Sequence, residues 1–170
     1  MVKKIKKILV PLDGSKLAEC VLPYVEEITT KLGVDELVLA SVTERVKGFR
    51  SIEGAALGTP APGVYDTETP AVLIPEAAGK MERPASRYLN RIAKGFETKG
   101  VNVVKEVLFG KPAEEIAIYA KTRDCDLIIM ASHGKGGPSG LAHGKVADRV
   151  LKTASIPVMV VPSPGCVPDA

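Results

Sequence analysis

Aromatic residues are scarce in this chain, which contains no tryptophan and only 4% aromatic residues in all. Proteins that bind single-stranded nucleic acids stack the bases on aromatic side chains. The formal net charge of +3 is also small for a protein that follows a phosphate backbone. The composition therefore argues against a nucleic acid as the partner.

Cysteine and histidine are also rare. Cys20, Cys125 and Cys166 are odd in number and far apart, which favours reduced thiols over a disulfide framework or a zinc site. His133 and His143 have no carboxylate or thiol nearby at ligand spacing. The sequence therefore predicts no metal site built from these residues.

Long hydrophobic runs are absent as well. No apolar segment approaches the roughly 18 residues of a membrane span. The basic start MVKKIKK is followed by an apolar stretch that Pro11 and Asp13 interrupt, well below the roughly 7 to 15 residues of a signal peptide. We therefore expect a cytoplasmic protein with no membrane partner.

The 170 residues contain a regular alternation of apolar runs and amphipathic segments. This length suits one domain, which we place at 1–162, with a flexible tail at 163–170. Amphipathic stripes at spacings of three and four predict helices between strands. The alternation predicts a Rossmann-like α/β fold, an open, mostly parallel sheet with helices on both faces. The predicted strands are 8–10, 37–40, 101–108, 127–130 and 158–161.

Glycine and proline mark two irregular places in this pattern. Residues 43–80 contain nine of these residues, which predicts a long irregular loop serving as a lid, an interaction segment or a disordered region. The helix after it is predicted to have Pro84 near its start. Pro23 falls inside another helical pattern and is expected to kink that helix.

Two of the predicted strands are followed by residues that are typical of binding sites. The first leads into PLDGS at 11–15, which places the carboxylate of Asp13 where the chain leaves the sheet. The fourth leads into a glycine-rich segment that ends at Gly144, just before a helix. Helix N-termini attract anions, and glycines let the backbone approach oxygen atoms closely. A phosphate cradle and a plain turn of the chain are equally compatible with this spacing.

Two familiar motifs are excluded. A P-loop needs four residues between its first glycine and the Gly-Lys pair, but three residues separate Gly140 from Gly144 and a valine follows the lysine. Ser132 and His133 suggest a hydrolase, yet neighbours in an extended segment point apart and no G-x-S-x-G elbow surrounds the serine. No catalytic residue is predicted.

Taken together, these motifs resemble the universal stress protein family. That family carries a nucleotide loop of the form G-x2-G-x9-G-S/T after its fourth strand, and Gly134 and Gly144 reproduce the x9 spacing. The resemblance covers the chain apart from residues 43–80. Further agreement lies in ILVPLDGS at 8–15, GKPA at 110–113, DLIIMASHG at 126–134 and IPVMVVP at 156–162.

The resemblance implies strand order 3-2-1-4-5, with Asp13 and the glycine loop facing one crevice. It also implies an adenine nucleotide, ATP or AMP, which can bring its own Mg²⁺ or Mn²⁺ to Asp13. At most slow ATP hydrolysis is expected. The nucleotide-binding residues it implies are Pro11, Leu12, Asp13, Val42, Met130, Ala131, His133, Gly134, Gly136, Gly144, Lys145 and Val146.

A homodimer along the last strand is the second implication of the resemblance, through Val158, Met159, Val160 and Val161. So hydrophobic an edge strand is an aggregation hazard when unpaired. The predicted function is a dimeric stress-response sensor or regulator that acts on a protein partner. The alternative is a nucleotide-free dimeric interaction module. An ATP-pyrophosphate-cleaving enzyme of related fold is disfavoured, because its SGG-x-DS turn is replaced by LDGS at 12–15.

Two positions depart from the family loop. Ala131 stands at its first glycine, where a left-handed backbone would cost alanine about 1–2 kcal/mol. Lys145 replaces the terminal Ser or Thr; a lost hydroxyl contact costs about 1 kcal/mol, whereas an ammonium on a phosphate returns about 1.5–3 kcal/mol. These departures alter or weaken nucleotide binding without excluding it.

Overall fold

The computed structural model describes residues 4–43, 75–135 and 143–163, except for the side chains of 75–81. The apolar runs of the sequence form strands in it, and the amphipathic segments form helices. The elements are β1 (Lys7–Pro11), α1 (Lys16–Glu19), α2 (Leu22–Leu32), β2 (Glu36–Thr43), α3 (Pro75–Glu97), β3 (Val103–Phe109), α4 (Pro112–Thr122), β4 (Leu127–Ala131), α5 (Lys145–Thr153) and β5 (Val158–Val161).

The five strands form one sheet in the order β3-β2-β1-β4-β5. Every neighbouring pair is parallel, and Leu9 in the centre pairs with Val38 on one side and Ile128 on the other. The predicted α/β class and strand order are therefore confirmed. The order of the strands reverses between β1 and β4, which is where open parallel sheets form ligand crevices.

Helices cover both faces of the sheet because successive side chains of each strand point to opposite sides. Ile8 and Val10 pack in a core with residues of α1, α2 and α3, whereas Leu9 packs in a second core with residues of α4 and α5. Full burial of one such side chain contributes about 1.5–3 kcal/mol. No helix within the described ranges combines the length and apolar character needed to cross a membrane.

The kink expected at Pro23 does not form, because the predicted helix is divided in two. α1 ends at Glu19 and α2 begins at Leu22, which places Pro23 in the first turn of α2. Proline is tolerated there, since the N–H that it lacks would have no partner within the helix. Gly33 ends α2 in the left-handed conformation, with a φ of 58°.

The predicted bounds of the irregular segment, 43 and 80, are both wrong. Thr43 is the last residue of β2, and α3 begins at Pro75 and contains Pro84 within it. Proline suits the first helical position, and burial of the apolar stripe of α3 outweighs the low helix propensity of Pro84. The rest of the segment, 44–74, lies outside the described residues.

The predicted tail also begins one residue too early. Ser163 is fully buried, with an exposed fraction of 0%, and it hydrogen bonds to residues at the end of β4. The ordered part of the chain therefore continues past residue 162. Residues 164–170 of the predicted tail lie outside the described residues.

Candidate functional site

Asp13 lies directly after β1, in a turn that fixes its carboxylate. The N–H of Leu12 donates to Ala40 O at 2.8 Å, which continues the pairing of β1 with β2 past Pro11. One carboxylate oxygen of Asp13, Oδ1, accepts the N–H of Ser15 at 2.9 Å. Gly14 makes the turn possible with a φ of 82°, a conformation that costs glycine little.

The second oxygen of Asp13 reaches across the crevice to the segment that follows β4. Asp13 Oδ2 accepts the backbone N–H of Lys135 at 2.7 Å. Gly134 lies against the same carboxylate, so a Cβ atom at that position would overlap Asp13. The carboxylate and the start of the glycine loop, two predicted site features, are thus in direct contact.

The end of the glycine loop returns to the same place. The N–H of Gly144 donates to Ser132 O at 2.7 Å, and a Cβ atom on Gly144 would lie 2.9 Å from that carbonyl oxygen. Gly144 is the N-cap of α5, and no side chain in the described part of the structure accepts the first N–H groups of this helix. These N–H groups, together with the helix dipole, give the crevice a positive end that suits an anion.

Ser132 and His133 do contact each other, contrary to the prediction that their side chains point apart. Ser132 Oγ and His133 Nδ1 are 3.0 Å apart, because β4 ends at Ala131 and the chain is no longer a regular strand beyond it. Both side chains are 5% exposed, and Ser132 Oγ also accepts the N–H of Ser163. The hydroxyl is therefore an internal hydrogen-bonding group and is not placed as a nucleophile.

The strand residues assigned to the site take two kinds of position. Met130 and Ala131 are buried in β4, whereas Pro11 ends β1 half-buried and Val42 is half-buried near the end of β2. Among the described residues, Asp124 alone combines a side chain with a positive φ. Ala131 therefore does not have the left-handed backbone whose cost was considered above.

The helix residues assigned to the site lie at the start of α5. Lys145 and Val146 are exposed in its first turn. Within the described ranges, neither Lys145 nor Lys135 forms a salt bridge, so both ammonium groups can contribute charge to the crevice. Gly136, also assigned to the site, lies outside the described residues.

Polar residues of α1 and α3 form a cluster beside the turn of Asp13. Glu19 accepts hydrogen bonds from Arg91 at 2.8 Å and Lys16 at 3.3 Å. Burial acts to raise the pKa of Glu19, but the hydrogen bonds and charges of these two cations outweigh it and leave the pKa lowered. Tyr88 lies under the Arg91 guanidinium, and burial together with the Glu19 charge raises the pKa of its phenol.

Other parts of the fold offer less for binding. A groove of about 310 Å³ lies between α2 and α3, lined in part by Leu22, Pro23, Ile92 and Phe96; none of the residues assigned to the nucleotide site lines it. No group of three or more His, Cys, Asp or Glu residues within the described ranges could hold a metal ion.

Two contributors to the site have no signal in the sequence. The contact of Lys135 is made by its backbone N–H, a group that every residue except proline carries. Ser163 follows the last strand by two residues and packs under the crevice, although no spacing rule connects it with Ser132. The carboxylate of Asp13 and the glycines, in contrast, are recognisable as residue types.

Solved structures with the same fold span nearly the whole chain. The structure of hypothetical protein MJ0577 superposes with a TM-score of 0.72 at 31% identity, covering 96% of this chain and 99% of its own. A universal stress protein in complex with cAMP gives a TM-score of 0.62 at 15% identity, covering 95% and 99%. An Arabidopsis thaliana family member with AMP bound gives 0.59 at 16% identity, covering 94% and 93%. The last two likenesses show the fold alone.

Sequence comparison is more specific. Residues 4–162 match the model of the Universal stress protein family. Universal stress protein MJ0577 of Methanocaldococcus jannaschii is 33% identical over 158 residues, which are 92% of this chain and 94% of that protein. Both results span the strands, the crevice and the start of α5. The chain therefore belongs to the universal stress protein family.

Proposed function

We propose that the protein binds an adenine nucleotide, ATP or AMP, in the crevice between β1 and β4. The observation that carries this proposal is the hydrogen bond of Asp13 Oδ2 with the N–H of Lys135, at 2.7 Å. It places the carboxylate at the head of the loop whose far end begins α5. A group with hydroxyls on one side and phosphates on the other matches this arrangement.

Asp13 supplies the ribose side of the proposed site. A carboxylate accepts hydrogen bonds from hydroxyl groups, and carboxylates in related α/β folds contact the ribose in this way. The base would lie along the carboxyl ends of β1 and β2, near Pro11, Leu12 and Val42. Val42 contributes apolar surface there, since it is half-buried against the second core.

The start of α5 supplies the phosphate side. Its first N–H groups have no side-chain acceptor within residues 4–43, 82–135 and 143–163, and Lys145 lies in its first turn. Lysine contacts phosphate as a point charge, where the hydroxyl of Ser or Thr would contribute a neutral hydrogen bond. This replacement favours ligands with more phosphate charge, so we rank ATP above AMP. Any Mg²⁺ or Mn²⁺ would arrive with the nucleotide and reach the protein through Asp13.

The two nucleotide-bound proteins of this fold support the choice of base. One holds cAMP and the other AMP, so the fold accommodates adenine nucleotides in at least two of its members. Their low identity to this chain means that the assignment of individual residues here rests on the contacts described above.

Dimerisation through β5 is the second part of the proposal. Among the described strands, β5 has β4 as its one neighbour in the sheet, and Val158, Met159 and Val160 are half-buried along it. Pairing with a second copy would satisfy the free edge of this strand. In a dimeric sensor, nucleotide occupancy would change a surface that a regulatory protein reads, with little or no turnover.

A nucleotide-free interaction module is the competing candidate, and one contact favours it. Asp13 already has both oxygens engaged, by Ser15 and Lys135, so the protein's own carboxylate satisfies the loop N–H. A ligand that uses Asp13 must compete with this contact. The two candidates therefore differ in whether the Asp13 contact yields to a ligand.

Isothermal titration with ATP, ADP, AMP and cAMP tests the proposal. We expect saturable binding of one nucleotide per chain, with ATP bound more tightly than AMP. Nucleotide released from the purified protein and identified by chromatography would exclude the nucleotide-free module. No heat with any of the four at millimolar concentration would contradict nucleotide binding.

A further inference from the structure

Ser163 has a structural role that the family match does not cover. It is the first residue beyond the matched range of 4–162, yet its exposed fraction is 0%. Buried serine hydroxyls need hydrogen-bond partners. The partners of Ser163 are the two residues that leave β4 toward the crevice, Ser132 and His133, together with the thiol of Cys20 at 3.9 Å.

Ser163 forms hydrogen bonds with the backbone of His133 and with the side chain of Ser132. Its Oγ accepts the N–H of His133 at 3.2 Å and donates to His133 O at 3.1 Å. Its own N–H donates to Ser132 Oγ at 3.0 Å. Ser132 Oγ in turn lies 3.0 Å from His133 Nδ1. A single residue that follows β5, Ser163, thus fixes the conformation of both residues at the head of the glycine loop.

Counting protons in this cluster determines the tautomer of His133. The single proton of Ser163 Oγ is donated to a carbonyl oxygen, which can only accept. The proton of Ser132 has two acceptors in reach, His133 Nδ1 at 3.0 Å and Ser163 Oγ at 3.5 Å. The 3.5 Å separation of the two hydroxyl oxygens exceeds the usual distance of about 2.5–3.0 Å in an O–H···O hydrogen bond, so a proton on Nδ1 would leave the buried Ser132 hydroxyl without an acceptor at normal distance. Nδ1 is then an acceptor, and the neutral ring carries its proton on Nε2.

The Nε2 atom lies buried at the start of α5. It has no hydrogen-bond partner among the described residues, and the ring carbon bonded to it, Cδ2, would lie 3.3 Å from a Cβ atom on Gly144. Leaving a buried donor unsatisfied is unfavourable. An oxygen of a bound anion at the head of α5 would satisfy this N–H.

We infer that Ser163, acting through Ser132, is a positioning residue that holds His133 as the Nε2–H donor of the anion-binding site. The ligand half of this inference rests on the proposed function, whereas the positioning half concerns the ligand-free protein. It also connects the site to the end of β5, because the residue that positions the loop follows that strand.

Nitrogen-15 NMR of the imidazole rings tests the positioning half without any ligand. The chain has only two histidines, so His143 serves as the internal reference. In the wild-type protein we expect His133 in one tautomer, with a slowly exchanging proton on Nε2. In Ser132→Ala we expect both tautomers. A proton on Nδ1 in the wild-type protein, or an unchanged His133 in Ser132→Ala, would overturn the inference.

Ser163→Ala tests the role of Ser163 itself, with Ser155→Ala as the matched control because Ser155 is exposed. We expect the amide of His133 to exchange about tenfold faster in Ser163→Ala, since its acceptor is removed, and the amide in the control to be unchanged. Ser163→Cys, which keeps a weak donor of similar size, should be intermediate and substitutes if the alanine variant does not fold. Equal exchange in Ser163→Ala and Ser155→Ala would overturn the role of Ser163.

ATP titration of the same variants tests the ligand half. We expect affinity to fall about tenfold in Ser163→Ala and by at least as much in His133→Leu. His133→Gln, which retains an N–H donor, should recover part of the loss. Affinity unaffected by His133→Leu overturns the donor role. A wild-type protein that binds no nucleotide contradicts the proposed function instead, and the NMR and exchange results then decide the positioning role alone.

Discussion

The carboxylate of Asp13 and the backbone N–H of Lys135 lie 2.7 Å apart although 122 positions separate them in the chain. This contact exists because β1 and β4 are neighbours in the sheet and their carboxyl ends open at the same edge. It brings an acceptor for hydroxyl groups next to a helix N-terminus that attracts anions.

Asp13→Ala should weaken ATP binding by about tenfold or more, because a charged hydrogen bond to the ribose is worth roughly 1.5–3 kcal/mol. Asp13→Asn should be intermediate, since its amide oxygen still accepts one N–H but carries no charge. Titration calorimetry measures both. Affinity in Asp13→Ala equal to that of the wild-type protein would remove Asp13 from the site.

Gly134→Ala should impair the crevice, whereas Gly95→Ala should not. A Cβ atom at Gly134 would overlap the Asp13 carboxylate. A Cβ atom at Gly95, which lies within α3, would have no neighbouring atom of the described residues within 4 Å. We expect Gly134→Ala to lose ATP affinity. Gly95→Ala should keep that affinity and gain about 0.5–1 kcal/mol of unfolding free energy, as alanine favours helix. Equal ATP affinities for the two variants would contradict the described contact between Gly134 and Asp13.

Val160→Pro should convert the proposed dimer to a monomer. Ile128 N–H donates to Pro157 O and Ser132 N–H donates to Val161 O. Alternate residues of a strand direct their backbone groups to the same side, so Val160 directs its N–H to the free edge. Proline removes that N–H and is tolerated on edge strands. Light scattering after size exclusion measures the mass, and Val160→Thr, which keeps the N–H, is the control. A dimer that persists in Val160→Pro would show that its interface lies elsewhere.

Glu19→Gln should reduce stability more at pH 7 than at pH 3. The cations beside Glu19 lower its pKa despite its burial, so the stabilisation is present above the unfolded pKa of about 4.3 and is lost as pH falls through the folded pKa. The loss at pH 7 should be at most about 1 kcal/mol, because Arg91 is largely exposed. Urea unfolding at both pH values measures it. An equal loss at pH 3 would contradict an electrostatic origin.

Cys125 should resist alkylation in the native protein. Its side chain is 2% exposed, and burial raises the pKa of its thiol to about 11. At pH 8 such a thiol is about one-thousandth ionised, against roughly a quarter for an ordinary cysteine. Iodoacetamide labelling followed by mass spectrometry should leave Cys125 unmodified until guanidinium is added. Labelling at the unfolded rate in native buffer would contradict this burial.

The fold was predictable because the apolar and amphipathic patterns that specify its strands and helices are local and recur along the chain. Runs such as 127–130 are buried on both faces, as a central parallel strand requires. Two of the errors occurred at proline. Pro23 lies in the first turn of α2, where proline is tolerated, because the predicted helix is divided before it. Pro84 lies inside α3, where packing against the sheet outweighs the low helix propensity of proline.

The site was only partly predictable, for a related reason. Asp13 and Gly144 carry side-chain and backbone signals that can be read along the chain. The contact of Ser132 with His133 depends on where β4 ends, and the burial of Ser163 depends on tertiary packing. Hydrogen bonds made through a backbone N–H, such as that of Lys135, leave no trace in residue identity.

A crystal structure of the protein grown with ATP would show where the nucleotide lies. We expect a ribose hydroxyl within hydrogen-bond distance of the Asp13 carboxylate and phosphate oxygens on the N–H groups at the start of α5. A nucleotide bound outside the crevice between β1 and β4, or a crevice without nucleotide at saturating ATP, would rule out the proposed site.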